Sequence, residues 1–308
     1  MSHSFIQQDD VQKLLRESAG LNGSEGNERF KSIIHRLLGD ICTLIDDYNV
    51  TQEEFWHAVN YLHALGGRQE AALLAAGLGL EHFLDLRQEA IESRPSAETG
   101  TPRTIEGPLY VANAPLADGY ARMDDGKDAG EVMWLHGQVR DVHGQPVAGA
   151  IVDIWHANTL GNYSFFDQSQ SDYNLRRRIR TDAEGRYSVR SILPSGYGCP
   201  PDGPTQKLLD QLGRHGNRPA HIHFFVSAPG FKHLTSQINL SGDQYLWDDF
   251  AFATRDGLIA DPVKISDPAL IQQRDLAGEH TEVCFDFTLC AAQCAEEEQR
   301  ITRLRAQE

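Results

Sequence analysis

The stretch Tyr187–Val226, YSVRSILPSGYGCPPDGPTQKLLDQLGRHGNRPAHIHFFV, contains the residues that decide both the fold and the chemistry. Its end, Ala220–Val226, is apolar and aromatic and is soon followed by Pro229-Gly230, which predicts a strand that ends in a turn. Because side chains alternate along a strand, His221 and His223 should point to the same face, with Cα atoms about 6.6 Å apart. Two such imidazoles can converge on one metal ion, although two hydrogen-bonded histidines without a metal fit the same pattern.

A metal site needs more ligands than two, and the usual partners of a His-x-His pair are missing. No carboxylate follows closely enough to complete a two-histidine, one-carboxylate site, and His215 and Cys199 do not have zinc-ligand spacing. Cys199 also lacks a base at motif spacing, so we interpret it as a packing residue. Two tyrosines fit better. Tyr197 lies in a loop whose glycines and prolines fix an irregular backbone, and Tyr163 lies in a similar setting.

At this point the sequence resembles a known family, the intradiol ring-cleaving dioxygenases, and within it the branch that acts on catechol. The resemblance covers almost the whole chain. Four stretches carry it: AGLGLEHFLDL (76–86), PSGYGCPPDGPTQKLL (194–209), LGRHGNRPAHIHFF (212–225) and LTSQINLSGDQYLWDDFAFATRDGL (234–258). It implies cleavage of catechol by dioxygen to cis,cis-muconate, as in the catabolism of aromatic compounds through the beta-ketoadipate pathway.

The resemblance also assigns the site residue by residue. It implies a non-haem Fe(III) with Tyr163, Tyr197, His221 and His223 as ligands, in which Tyr197 is the ligand that leaves and accepts a substrate proton. Arg218 would stabilise negative charge on the ring, and Gln237 would orient the same edge of the substrate. Six further residues match pocket positions of the family, although each could equally be ordinary core: Leu73, Ile105, Pro108, Leu109, Phe250 and Ala251.

Composition limits the function classes. The chain has 308 residues, of which 40% are hydrophobic and 23% are charged, as in ordinary globular proteins of one large or two smaller domains. Its formal net charge of -16 argues against nucleic acid and anionic membranes as partners. The start has no signal-peptide pattern, no apolar run is long enough to span a membrane, and five cysteines without a CxxC pair fit reduced thiols. We therefore expect a cytoplasmic protein without membrane insertion.

Residues 1–100 are predicted to be helical. Asn27–Asp47 has apolar residues at helical spacing, which predicts a helix with one buried stripe. Thr51 and Glu54 have the spacing of a capping box at the start of a second helix, which we expect to end at Gly66-Gly67. The family resemblance implies that this region forms the interface of a homodimer and encloses an apolar tunnel occupied by lipid.

Strands dominate after a polar linker at 94–104. Trp134–Arg140 and Ala150–Trp155 are predicted strands joined by a tight turn, a third strand covers Arg186–Ile192, and alternating residues from Val283 to Leu289 predict a strand with one buried face. The expected fold is α+β, with a helical dimerisation domain (1–100), an antiparallel β-sandwich that binds iron (101–290) and a charged tail (291–308).

Two other functions are compatible with parts of this pattern. A sandwich with a DVHGQPVAGAIVDIW hairpin also occurs in transthyretin-like and carbohydrate-binding modules, which would only bind a ligand. Protocatechuate 3,4-dioxygenase uses the same fold on a carboxylated substrate, but it has two kinds of chain, and the long helical N-terminal part argues against it.

Overall fold

The N-terminal part of the chain is helical in a computed structural model that describes residues 5–92 and 100–294. A short 3-10 turn, Phe5–Gln7, precedes five helices: α1 (Asp9–Ser18), α2 (Glu28–Asp47), α3 (Gln52–Arg68), α4 (Ala71–Gly77) and α5 (Leu80–Glu92). Most of the predicted linker and nearly all of the predicted tail lie outside the described residues. The contacts of the chain divide it into two compact units, 1–67 and 68–308. The division at residue 100 therefore stays a prediction, since α4 and α5 group with the sandwich.

The predicted capping box starts α3. The backbone N–H of Thr51 donates to Glu54 Oε2 at 2.8 Å, and the N–H of Glu54 donates to Thr51 Oγ1 at 3.2 Å. The predicted stop at Gly66-Gly67 is wrong, because α3 continues to Arg68. Each glycine costs an exposed helix only about 1 kcal/mol, which is not enough to break it. The helix ends where Gln69 takes a left-handed conformation with φ of 57°.

The apolar stripe of α2 is not buried within the single chain, which contradicts the expectation from its periodicity. Phe30 is 63% exposed, Leu37 is 50% exposed, and Ile33 and Ile41 are similar. The periodicity correctly indicated an amphipathic helix, but periodicity cannot specify what covers the apolar face.

The second unit contains a β-sandwich of two main sheets. Its strands are β1 (Leu116–Asp118), β2 (Tyr120–Arg122), β3 (Val132–Asp141), β4 (Ile151–His156), β5 (Arg176–Arg180), β6 (Arg186–Ile192), β7 (Tyr197–Gly198), β8 (Asn217–Arg218), β9 (His221–Ser227), β10 (Leu234–Leu240), β11 (Ile259–Ala260), β12 (Val263–Ile265), β13 (His280–Cys284) and β14 (Phe287–Leu289). The first sheet has the strand order β1-β5-β4-β9-β10-β11, and the second has the order β12-β13-β3-β6-β2, with β14 pairing beside β13 on β3. Two short helices, α6 (Pro204–Gln211) and α7 (Pro268–Gln273), lie in the connections. The predicted α+β class with N-terminal helices before a sandwich is confirmed.

The strand pairing differs from the prediction in detail. The central pairs are antiparallel as expected, but β1–β5, β10–β11, β13–β3, β14–β3 and β2–β6 run parallel. The predicted turn after β3 forms, with the N–H of Asp141 donating to Gln145 O at 2.8 Å and Gly144 at φ of 79°. However, β3 and β4 belong to different sheets, so this turn carries the chain across the sandwich. The alternation from Val283 to Leu289 holds, but it is divided between β13 and β14.

Strand β9 has both faces buried. Ile222, Phe224 and Val226 belong to the core between the two sheets. His221 and His223 face the opposite way, as the alternation predicts, and are 1% and 2% exposed. A strand that is buried on both faces needs cover on the side away from the sandwich core, and loops from the rest of the unit provide it.

None of the helices in residues 5–92 and 100–294 combines the length and the apolar character that crossing a bilayer would require.

Candidate metal centre and active site

The sheet register aligns the histidines with two neighbours. On β9, His223 lies opposite Trp155 of β4 on one side and opposite Gln237 of β10 on the other. The Trp155 and His223 rings stack with centroids 4.9 Å apart and planes within 4°. Asn239 is the register partner of His221. Three adjacent strands therefore place these side chains on one rigid surface, which is the outer face of the first sheet.

The two imidazoles converge through the same type of atom. Nε2 of His221 lies 3.1 Å from Nε2 of His223. Nδ1 of His221 lies 2.6 Å from the carbonyl oxygen of Pro219, to which it can donate, so that Nε2 is the unprotonated ring nitrogen. Burial is the main reason why the pKa of His221 falls to about 3 and that of His223 falls well below its usual value. Both rings are therefore neutral at pH 7, the form in which histidine binds metals.

Tyr163 reaches the histidines from a loop. Its hydroxyl lies 3.4 Å from His221 Nε2, and its side chain is 3% exposed. Asn158 shapes the loop, since its Oδ1 accepts from the backbone N–H groups of Leu160 and Asn162 at 3.0 and 2.9 Å. Burial, together with the neighbouring Tyr197, raises the pKa of Tyr163 well above its usual value, so the phenol is neutral unless a cation compensates.

Tyr197 is held by a two-residue ladder in which β7 pairs with β8 and Tyr197 lies directly opposite Arg218. Its ring lies perpendicular to that of Tyr163, with centroids 5.6 Å apart. The two tyrosine loops approach so closely that a Cβ on Gly161 would lie 2.5 Å from Cβ of Tyr197, and Gly161 also has a φ of 79°. Only glycine satisfies both conditions at this position.

Arg218 contacts His221, Tyr197 and Gln237. Its Nη1 is 3.0 Å from His221 Nε2 and 3.5 Å from the Tyr197 hydroxyl, and its Nη2 donates to Gln237 Oε1 at 2.8 Å. It also forms an ion pair with Asp249, a residue that the sequence analysis missed. The sequence could have indicated this partner, because a buried arginine needs a countercharge. Two aspartates directly precede Phe250 in the stretch 234–258.

The six predicted wall residues fall into different surroundings. Ile105, Phe250 and Ala251 share one buried apolar cluster, and Leu73 packs against it. Leu109 packs instead with the aromatic cluster that contains Tyr163 and Trp155, while Pro108 is exposed. Whether these six residues contact a substrate stays a prediction. Cys199 lies in the first cluster, where burial raises the pKa of its thiol to about 12, which fits the packing role.

The donor set suits a hard, oxidised metal ion. Among the described residues, no group of three or more His, Cys, Asp and Glu side chains is placed to hold a metal, so a site here depends on the tyrosines. Two neutral imidazoles and two phenols that a cation would deprotonate fit ferric iron.

A concavity of about 690 Å³ lies on the second sheet, around Tyr120 and Trp134. The two arginines that line it, Arg186 and Arg274, are paired with Asp182 and Glu282. Because these charged groups are already paired with each other, this concavity is a weaker candidate for the active site than the tyrosine–histidine cluster.

Comparison with known families agrees with this site. A family model described as "Dioxygenase" matches residues 105–291, which include all four candidate donors, and a model described as "Catechol dioxygenase N terminus" matches residues 27–95. The chain belongs to this dioxygenase family, and more narrowly to its catechol dioxygenase group. The resemblance seen in the sequence is thereby confirmed.

Individual relatives agree over more than nine-tenths of the chain. The chain is 56% identical over 283 residues to catechol 1,2-dioxygenase of Acinetobacter baylyi, covering 91% of each chain. It is 54% identical over 290 residues to catechol 1,2-dioxygenase of a Pseudomonas species, covering 94% of this chain and 95% of the relative. The crystal structure of catechol 1,2-dioxygenase from Pseudomonas arvilla C-1 superposes with a TM-score of 0.96 at 59% identity, covering 99% of both chains. These relatives are enzymes by name, so the alternative of a module that only binds a ligand is not supported.

Proposed function

We propose that the protein cleaves the ring of catechol with dioxygen, between the two hydroxyl-bearing carbons, to give cis,cis-muconate. Both oxygen atoms of dioxygen enter the product, so no external reductant is needed. The observation that carries the proposal is the convergence of Tyr163, His221 and His223, with Tyr197 beside them, at one buried point. The family to which the chain belongs supports the reaction type.

The proposed cofactor is Fe(III), held by the same four residues. Bound to phenolates and imidazoles, ferric iron would bind catechol through its oxygens and make the ring carbons reactive towards dioxygen. The chain supplies the surroundings: Trp155 and the loop of Tyr163 hold the donors in place and exclude water. Tyr197, which is less buried than Tyr163, accepts one of the two hydroxyl protons of catechol. Arg218 stabilises the negative charge that develops on the ring.

Tyr197→Phe tests the proton-accepting and ligand roles together. It removes one hydroxyl and should preserve the fold, but we expect kcat for catechol to fall by about a hundredfold or more, the low end of what a general base contributes. Because phenolate-to-Fe(III) charge transfer absorbs visible light, the absorption band of the iron-loaded protein should also shift. Tyr120→Phe, which alters a 44% exposed tyrosine on the other sheet, is the matched control. Unchanged turnover and colour in Tyr197→Phe would contradict both roles, and a colourless wild-type protein at full iron occupancy would contradict the cofactor.

We further propose that the protein is a homodimer formed through its helices, with room for lipid against their apolar side chains. The exposed stripe of α2 supports the dimer, and in the second unit Phe83 and Leu84 of α5 are both 62% exposed. The five cysteines carry reduced thiols, which supports a reducing location such as the cytoplasm.

Light scattering should therefore give a mass about twice that of one chain. Leu37→Glu, which places a charge in the stripe, should shift the protein towards the mass of a single chain, while Ser32→Glu, at an exposed polar position of the same helix, should not. A single-chain mass for the wild type at micromolar concentration would contradict the dimer.

A further inference from the structure

We propose that Asp249 is a positioning residue for the reaction, because it fixes the guanidinium of Arg218 in the orientation that the ring-cleavage step uses. The inference rests on the proposed function. The sequence analysis did not single out Asp249, since no metal-ligand or catalytic motif includes it. The evidence for its role is the geometry of one buried ion pair.

Asp249 holds one edge of the guanidinium. Nε of Arg218 donates to Oδ1 of Asp249 and Nη2 donates to Oδ2, both at 3.1 Å, which is a bidentate arrangement. The side chains of Arg218 and Asp249 are 3% and 1% exposed. The third nitrogen, Nη1, is left pointing at the His221 and Tyr197 donor atoms.

Gln237 completes the support. Arginine can only donate, so its 2.8 Å contact fixes Oε1 of Gln237 towards Arg218. The amide nitrogen of Gln237 then donates to Oδ1 of Asn239 at 2.7 Å, and Nδ2 of Asn239 donates to Thr254 Oγ1 at 2.5 Å. Both polar ends of Gln237 are therefore engaged within the protein, and its visible role is to hold Arg218.

The position of Asp249 is itself determined by the backbone. Its Oδ1 also accepts from the N–H of Ala251 at 3.0 Å, which ties the carboxylate to the turn that carries Phe250. The contacts of Arg218 to Asp249 and Gln237 use none of the candidate metal donors. They can therefore keep Nη1 in place whatever binds to His221 and Tyr197, and a charge that is fixed beforehand stabilises a transition state without reorganisation.

Asp249→Asn tests the inference because it keeps the shape and removes the charge. The amide NH2 of the asparagine would replace one of the two carboxylate oxygens that accept from Arg218, so that two hydrogen-bond donors would face each other. We therefore expect the guanidinium to turn away from residue 249. The expected result is a fall of about tenfold in kcat with KM within about threefold of wild type, unchanged iron per chain and a shifted visible band, because Nη1 moves relative to Tyr197. Asp248→Asn makes the same change at the adjacent, 79% exposed aspartate and should leave all four measurements unchanged.

A double-mutant cycle separates positioning from a general structural role. In an Arg218→Gln background, Asp249→Asn should lower kcat by no more than about twofold, because there is no guanidinium left to orient. Equal losses of kcat in both backgrounds, or an Asp249→Asn protein as active as wild type, would overturn the inference. If Asp249→Asn does not fold, Asp249→Glu keeps the charge and should retain most of the activity; a folded Asp249→Glu protein that loses tenfold or more in kcat would also overturn it. Iron-loaded wild type that does not cleave catechol would instead overturn the proposed function.

Discussion

Replacing either His221 or His223 by alanine is expected to reduce the iron in the purified protein from about one per chain to less than about a tenth. Each histidine supplies one Nε2 atom to a cluster whose two nitrogens are 3.1 Å apart. Loss of groups that merely orient a metal ligand costs about 10–100-fold in affinity, so loss of a ligand should cost at least as much. Catechol cleavage should fall with the iron content, below about a hundredth of wild type.

Iron per chain, measured by elemental analysis after removal of loosely bound metal, is the decisive observable. His215→Ala is the matched control, because His215 is partly exposed and pairs with Asp248 instead of facing the cluster. Thermal melting must accompany the measurement, since the His223 ring stacks on Trp155 and its removal leaves a cavity. A His221→Ala or His223→Ala protein that folds and keeps full iron would show that the ion binds elsewhere.

Much of this site could be predicted because the relevant physics is local. Side chains alternate between the two faces of a strand, so His221 and His223 share a face. The glycines and prolines around Tyr197 indicate that it lies in a loop. The exact strand Arg186–Ile192 and the capping box of α3 follow from equally local rules. Such features depend on neighbours in the sequence, so the sequence alone predicts them well.

The features that could not be predicted depend on distant partners. The pairing of Arg218 with Asp249 joins residues 31 positions apart, and the stacking of Trp155 on His223 requires the register of two strands. The turn after β3 looked like a hairpin, yet its strands belong to opposite sheets, because turn residues specify a reversal and not the partner of each strand. The exposed stripe of α2 shows the same limit, since its periodicity predicts an apolar face and not what covers it.

Catechol should be preferred over protocatechuate by about two to three orders of magnitude in kcat/KM. Leu73, Ile105, Phe250 and Ala251 lie together in one apolar cluster, which is the predicted wall of the substrate site. A ring carboxylate pressed against that wall would lose water without gaining a partner. Desolvating an unpaired ion costs several kcal/mol, and about 3 to 4 kcal/mol of that cost reaching the transition state gives this selectivity, at 1.36 kcal/mol per factor of ten. A methyl group requires only room, so 4-methylcatechol should lose much less.

The charged groups beside the wall do not relieve this cost. Arg218 is already paired with Asp249, and Glu70, close enough to raise the pKa of Cys199, has the same sign as the ring carboxylate. Arg214 is committed as well, because it donates to the carbonyl oxygens of Gly77 and Phe250 and stacks on the ring of Phe252. Because none of these three groups is available to pair with the ring carboxylate, the ratio of kcat/KM for catechol to that for protocatechuate should measure the cost of desolvating the carboxylate.

The three substrates can be compared under air in one assay, by following the absorbance of the ring-cleavage products. Equal kcat/KM for catechol and protocatechuate would mean that a cation reaches the carboxylate, and Arg214→Gln would then show whether Arg214 is that cation, by lowering the rate for protocatechuate alone. In that case the predicted preference for catechol would be wrong. The proposed iron site would be unaffected, because the predicted wall residues and the four donors are separate groups of side chains.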